Sequence, residues 1–148
     1  MKYIEAPTDY LGNKKSLFLA GGITDCPDWQ AELTSLLKNE DIVLLNPRRK
    51  NFPIHDPNAT RTQITWEYNH LKKVEGISFW FPKETLCPIV LFEYGKWLVK
   101  DKPLFVGVHS EYKRRQDIEI QTELEKSDLK IVYDLDSLAN QIKQWARS

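Results

Sequence analysis

Three side chains in this sequence could do chemistry together: Glu67, His70 and Glu93. Glu93 lies near the start of an apolar run, about Pro88 to Lys100, that reads as a helix. A carboxylate close to a helix N-terminus is held ionised by the helix dipole, which suits a nucleophile. Glu67 belongs to an earlier helix, about Thr60 to Glu75. At 100° per residue, Ile64, Tyr68, Leu71 and Val74 share one face of it, and Glu67 falls inside that arc. Gln63 and His70 lie at its edge. An acidic group on an apolar face is costly to bury unless it is paired or used. Glu67 and His70 stand three residues apart, so they are neighbours on the helix surface and are expected to face one pocket. Plainer roles compete: an arginine partner for Glu67, a boundary position for His70, and an i,i+3 pair with Lys96 for Glu93.

The elements that must position these groups alternate between two types. The helix carrying Glu93 sits between the β-prone runs Ile77–Phe81 and Pro103–Val108. Two strands joined by one helix make a right-handed parallel crossover. Ligands of open parallel sheets bind beyond the carboxyl ends of the strands, here at the loop Pro82 to Cys87. Ser16–Ala20 and Asp41–Leu45 are further buried-type strands, and Lys130–Tyr133 is a last one. The first ends in Gly21-Gly22, where backbone can approach a ligand closely. Helices are expected over about Pro27–Asn39, with Asp25 or Asp28 as cap, and from Asp136 to Trp145. The charged stretch His109 to Lys126 reads as helical or irregular. Lys50 to Ala59, with prolines around it, reads as an irregular loop at a strand's carboxyl end. Residues 1–15 read as a loosely ordered or edge segment. The whole is one α/β domain, residues 1–148, with a parallel sheet of about five strands in the order 2-1-3-4-5.

Composition excludes several classes. The formal net charge is +0, so no electrostatic case exists for nucleic acid or an anionic membrane. No run approaches the ~20 apolar residues of a membrane span. The N-terminal stretch does not resemble a signal peptide. The two cysteines, Cys26 and Cys87, fit neither a metal spacing nor a disulfide framework, and suit a reducing, cytoplasmic setting. The Pro88–Lys100 helix is apolar almost all round. Such a helix is buried on both sides, by the sheet and by something else, and a partner subunit is the simple candidate. A homo-oligomer is therefore expected.

An ordered set of motifs then carries a resemblance. It comprises Leu17-Phe18-Leu19-Ala20-Gly21-Gly22-Ile23, Asn46-Pro47-Arg48, Gln63-Ile64-Thr65-Trp66-Glu67, Phe79-Trp80-Phe81-Pro82, and Cys87-Pro88-Ile89 leading to Phe92-Glu93-Tyr94-Gly95. Arg115-Gln116-Asp117-Ile118-Glu119-Ile120-Gln121 follows. Together they resemble the nucleoside 2-deoxyribosyltransferase-like family, in its more divergent second branch. The resemblance implies a flavodoxin-like, Rossmann-like three-layer sandwich and cleavage of the N-glycosidic bond of a nucleoside or nucleotide. It implies Glu93 as the glutamate that attacks the anomeric carbon, with the sugar passed to a free base, and no metal or cofactor. Glu67 or His70 would protonate the leaving base.

Departures are visible. His70 stands where better-studied members have an aspartate in Asn-Asp-Leu, and Cys87 where they have an aspartate six residues before the nucleophile. Asp117 would fill the place of an asparagine that a neighbouring subunit supplies. Gly21, Gly22, Asp25, Trp80 and Cys87 complete the expected substrate contacts, with Arg48 or Arg115 on a phosphate if the substrate is a nucleotide. Two other functions remain open on the sequence: an N-glycoside hydrolase that uses water, and a non-catalytic nucleotide-binding module.

Overall fold

The computed structural model describes all residues, 1–148. Six strands form one all-parallel sheet: β1 Lys2–Glu5, β2 Ser16–Gly21, β3 Val43–Asn46, β4 Gly76–Phe81, β5 Leu104–Val108 and β6 Ile131–Val132. Five helices connect them: α1 Trp29–Leu36, α2 Ala59–Lys73, α3 Pro88–Leu98, α4 Arg115–Glu125 and α5 Leu135–Ala146. The spatial order is β1-β3-β2-β4-β5-β6. The five expected strands keep the 2-1-3-4-5 order. A sixth strand, β1, joins the edge by pairing Lys2 to Glu5 with Val43 to Asn46. The segment expected to be loose or at an edge is thus an edge strand.

Side chains alternate along each strand and so build two separate cores. Leu17, Leu19, Leu44, Trp80 and Phe105 point to one face and pack on Trp29 and Leu33 of α1 and Leu138 and Ile142 of α5. Phe18, Ala20, Leu45, Ile77, Phe79, Phe81 and Val106 point to the other and pack on α2, α3 and α4 through Trp66, Leu71, Val90, Tyr94, Trp97 and Ile118. This is the three-layer sandwich that alternating strands and helices require. No helix is long and apolar enough to cross a membrane.

Helix α2 is rotated from the orientation its apolar arc suggests. Its buried residues are Ala59, Trp66, His70 and Leu71, whereas Ile64 and Tyr68 are 59% and 50% exposed. Trp66 and His70 win the sheet-facing stripe because their large rings stack on each other at 4.4 Å and fill the space over Phe18. Helix α3 is covered by the sheet on one side, as expected, and in the single chain Ile89, Phe92 and the following Val99 are 66%, 74% and 62% exposed.

Where β2 ends, the packing is tight. A Cβ on Gly21 would come within 2.3 Å of Trp29 Cζ2 and 2.6 Å of the Trp80 carbonyl oxygen. Gly21 is required by the ring of α1 pressing on the strand end. Gly21→Ala is therefore expected to destabilise the fold by about 1–3 kcal/mol, read as a lower urea midpoint at unchanged m-value. An unaltered midpoint would show that Trp29 can move aside.

Candidate active site

The carboxyl ends of β2, β3 and β4 leave a cleft between α2 and α3, of about 580 Å³. Crevices in this position are where open α/β sheets bind ligands. Its base is backbone from Ala20 to Thr24 together with Pro47. One wall is α2, through Ile64, Glu67, Tyr68 and Leu71; the other is α3, through Ile89, Phe92, Glu93, Lys96 and Trp97. The lining is mostly apolar, and Glu67 and Glu93 are its two carboxylates.

Both carboxyls are displaced far from their ordinary range. Burial pushes Glu93 up to about 8, and the neighbouring Glu67 adds to this, with Lys96 pulling the other way. Burial pushes Glu67 up to about 7, opposed by a hydrogen bond from Gln63. Low-dielectric surroundings disfavour each charge, and two like charges in one site disfavour both together. This corrects the expectation that the helix dipole keeps Glu93 ionised. Pro88 is the first residue of α3, so Glu93 sits in the second turn, beyond the reach of the dipole's end. Desolvation outweighs what field remains. Lys96 does not pair with Glu93; its ammonium lies 4.6 Å from the centroid of the Tyr68 ring.

The loops that frame the cleft are held by specific contacts. Arg48, at the end of β3, donates to the carbonyls of Pro27 (2.9 Å) and Cys26 (3.0 Å) and to Gln30 Oε1 (3.2 Å). Trp29 Nε1 and Gln30 Nε2 both donate to the Gly22 carbonyl, at 2.8 and 3.2 Å. These bonds fasten the β2–α1 loop over the strand ends. On the far side, Cys87 adopts a left-handed conformation (φ 53) that turns the chain into α3. Tyr112 fixes the same loop by donating to the Leu86 carbonyl at 2.6 Å.

Of the residues singled out from sequence, the cleft brings together Glu67, Glu93, Gly21, Gly22 and Cys87. The Cys87 thiol is pushed up to about 12, chiefly by burial, so it lines the cleft as a neutral group. The others lie elsewhere. His70 is buried on the side of α2 that faces the N-terminal segment. Its Nδ1 donates to the Trp66 carbonyl at 2.7 Å, and its Nε2 accepts from the Tyr10 N–H at 3.1 Å. Both ring nitrogens are therefore committed, and the pocket shared with Glu67 is not formed. Three residues leave His70 about 60° round the helix from Glu67 and about 40° from Trp66, so His70 shares the buried stripe of Trp66, on which it stacks, while Glu67 is left facing the cleft. Trp80 points to the α1/α5 face, where it packs with Phe105 and Leu138. Asp25 is exposed, at φ 58. Arg48 is spent on the loop. Arg115 donates to the Ser110 carbonyl at 2.6 Å and pairs with Glu119, while Asp117 pairs with Arg114.

Sequence reasoning missed Lys96, Tyr68, Ile64 and Trp97 as cleft residues. The usable signal was the arc Ile64–Tyr68–Leu71 with Glu67 inside it, which marks a ligand-facing wall as well as it marks a core face.

A parallel three-layer sandwich with a crevice at the carboxyl ends of its strands is the architecture of an α/β protein of the doubly wound, Rossmann-like class. The sequence profile of the nucleoside 2-deoxyribosyltransferase-like family matches residues 14–112, and the chain belongs to that family. No curated protein matches the chain.

The raised carboxyls make a stability prediction. Glu93 ordinarily titrates at 4.5 and here at about 8. Between those values the folded state binds the extra proton, so folding weakens as pH rises through that window. Glu93→Gln should match wild type near pH ~5 and exceed it near pH ~9 by on the order of a few kcal/mol. Thermal unfolding of both proteins across that range checks it. Equal stability at alkaline pH would mean that Glu93 ionises without cost.

Proposed function

We propose that the cleft cleaves the N-glycosidic bond of a nucleoside and passes the sugar, held as an ester on Glu93, to a second base. The observation that carries this reading is the pair of carboxyls facing one apolar cleft, each raised toward neutrality so that one proton can serve two groups. In the first step the Glu93 carboxylate attacks C1′, and the C1′–N bond breaks. Its electron pair leaves on the base nitrogen, which takes the proton of Glu67, because an unprotonated nitrogen anion departs poorly. In the second step the nitrogen of an incoming base attacks C1′. Its proton goes to Glu67, and Glu93 is released as carboxylate. Two inversions give net retention. Glu67 acts as acid and then as base, the alternation that a retaining glycosidase uses.

The lining favours a nucleoside over a nucleotide. Lys96 is the single cation in the cleft. Arg48 and Arg115, which a 5′-phosphate would need, are turned to other partners.

The bare face of α3 bears on the acceptor. Ile89 and Phe92 are exposed beside the cleft, and a Cβ on Gly95 would meet nothing within 4 Å. A second copy laid over this face would exclude water and bury a contiguous apolar patch. It could also bring its own α4, with Asp117, toward the opening. Water as acceptor is the second reading, favoured if the cleft stays open as it is in the single chain. The same two carboxyls would then perform hydrolysis.

Base release and exchange from deoxynucleosides, ribonucleosides and their monophosphates test the proposal. Nucleosides should exchange into an added base, monophosphates should react poorly, and Glu93→Ala should abolish both release and exchange. Release without exchange would install the hydrolase. Silence across the panel, with ligand binding that survives Glu93→Ala, would leave a binding module. The reaction requires one carboxyl charged and one protonated, so kcat should be bell-shaped, with limbs near 7 and 8. Glu67→Gln should lower kcat about 10²–10⁴-fold, remove the alkaline limb and move the acid limb down, since a like charge beside Glu93 is gone. Light scattering should report an oligomer that Phe92→Asp dissociates; a monomeric wild type would remove the second copy from the site.

A further inference from the structure

We infer that His70 is a proton-operated latch: taking up a proton breaks its hold on the N-terminal segment at Tyr10 and hands that hold to Asp9. The inference stands apart from the glycosyl-transfer reading, because it concerns the side of α2 that faces away from the cleft. His70 is buried, at 3% exposure. Its ring lies between two groups with fixed roles. The Trp66 carbonyl, 2.7 Å from Nδ1, can only accept. The Tyr10 N–H, with its nitrogen 3.1 Å from Nε2, can only donate. One tautomer satisfies both, with the proton on Nδ1 and the lone pair on Nε2. An imidazolium carries an N–H on each nitrogen, so it would set a donor against the Tyr10 N–H. Proton uptake and the Tyr10 bond therefore exclude each other.

A second state stands ready beside the first. The Asp9 carboxylate, one residue before Tyr10, lies 3.7 Å from the same Nε2, just outside hydrogen-bond reach. Its side chain is 71% exposed. A groove of about 540 Å³ between the segment and α2, which Asp9 lines, gives it room to move. A new N–H on Nε2 can be taken by this carboxylate, a charge-assisted bond in place of a neutral one. The other charged groups nearby have different positions or partners. On α2, Lys73 donates to the Tyr10 carbonyl, Arg61 lines the same groove as Asp9, and Glu67 faces the cleft. Lys2 of β1 stands over the Tyr10 ring at 5.9 Å. Lys14 pairs with Asp41. The strands beneath α2 give this core apolar side chains. Asp9 is thus the one carboxylate within 4 Å of the imidazole.

Three backbone groups tie the segment to α2. Trp66 Nε1 holds the Thr8 carbonyl at 2.8 Å, Lys73 Nζ holds the Tyr10 carbonyl, and His70 Nε2 holds the Tyr10 N–H. Only the last uses an acceptor on α2 that a proton can occupy. In acid the segment keeps its two carbonyl ties and gives way at the Tyr10 amide, while the Tyr10 side chain, 4% exposed, stays packed. The change is a local opening and not a detachment. Because α2 carries Glu67 on its other side, the latch couples proton uptake to the bracing of the helix that walls the cleft.

The test follows the His70 ring and the Tyr10 amide by NMR in the ligand-free protein, between about pH 5 and 8. Protection of the amide is measured against its intrinsic exchange rate at each pH. Ring nitrogen shifts should show the Nδ1–H tautomer at the alkaline end. As His70 takes its proton, Tyr10 protection should fall on the order of tenfold with the same midpoint, while the Asn69 amide inside α2 keeps its protection. Asp9→Asn should move both changes to lower pH together, since the carboxylate that favours the charged ring is gone. His70→Gln offers an oxygen near the place of Nε2 that takes no proton in this range, so Tyr10 protection should become independent of pH. If that variant does not fold, Asp9→Asn still decides. Tyr10 protection that ignores the His70 titration overturns the inference, as does an Nε2–H tautomer in the neutral ring. Loss of protection at Tyr10 and Asn69 together would also overturn it, because the helix would be unfolding and no latch released. No turnover enters the measurement, so an inactive cleft would refute the glycosyl-transfer reading and leave this one standing.

Discussion

Everything at the cleft follows from the cost of removing two carboxylates from water at the same place. An isolated buried carboxylate loses several kcal/mol of hydration, and a second one nearby adds Coulomb repulsion that an apolar wall does little to screen. The fold does not neutralise the pair with arginine. It lets the pair keep a proton instead, which is why Glu67 and Glu93 titrate near 7 and 8. A salt-bridged pair would be more settled and less useful, because neither group could exchange a proton near neutral pH. The cation that is present, Lys96, is drawn onto Tyr68 and Trp97, so Glu93 is only partly relieved.

Such a pair stays in place only if its scaffold does not yield. Glu67 and Glu93 sit on different helices, and each helix is anchored on the sheet through large rings. Trp66 of α2 packs on Phe18 at 5.7 Å. Tyr94, next to Glu93, meets Phe79 and Phe81 edge-on at 5.0 and 5.7 Å and hydrogen-bonds Thr122 of α4 at 2.5 Å. Trp66 is tied again through its Nε1 to the Thr8 carbonyl at 2.8 Å. The N-terminal segment therefore braces the helix that carries Glu67, with His70 as the second tie. That use of His70 is structural. A buried imidazole with one donor and one acceptor filled has no proton left to offer the cleft.

The sheet was readable from sequence because its signal is local. Continuous apolar runs ending in Gly-Gly, Asn-Pro or Phe-Pro mark buried parallel strands, and alternation with helices leaves few topologies. β1 was harder to read, since an edge strand is half-exposed and Lys2-Tyr3-Ile4-Glu5 has too few apolar residues to stand out. Within the site, Glu67 and Glu93 were legible as acidic residues in apolar surroundings. What failed was the assignment of helix faces. Periodicity says which residues share a side, but not which of two apolar sides meets the sheet. On α2, Trp66 and His70 outcompete Ile64 and Tyr68 by stacking on each other and by the two hydrogen bonds of His70, a tertiary effect. The same ambiguity placed Trp80 in the site, although in a strand buried on both faces its direction depends on register alone. Gln63 was visible at the edge of the arc, but its bond to the Pro47 carbonyl, sixteen residues back, is a tertiary contact that periodicity does not reveal.

The contrast between the two helical layers bears on which acceptor the proposed reaction would use. The large exposed apolar side chains of the helices, Ile64, Tyr68, Ile89, Phe92, Ile120 and Leu124, all belong to α2, α3 and α4, and none to α1 or α5. Marginal stability alone would not confine them to one layer, since isolated exposed apolar residues scatter over ordinary surfaces. Four of them, Ile64, Tyr68, Ile89 and Phe92, line the cleft, so whatever covers this layer also controls the access of water to it. In the reaction proposed above the two carboxyls would serve either acceptor: Glu67 would draw a proton from water as it would from a base, and Glu93 would leave in either case. On that reading transfer and hydrolysis would differ in how the outer wall is closed, and the difference would lie in Ile89 and Phe92 rather than in the two glutamates.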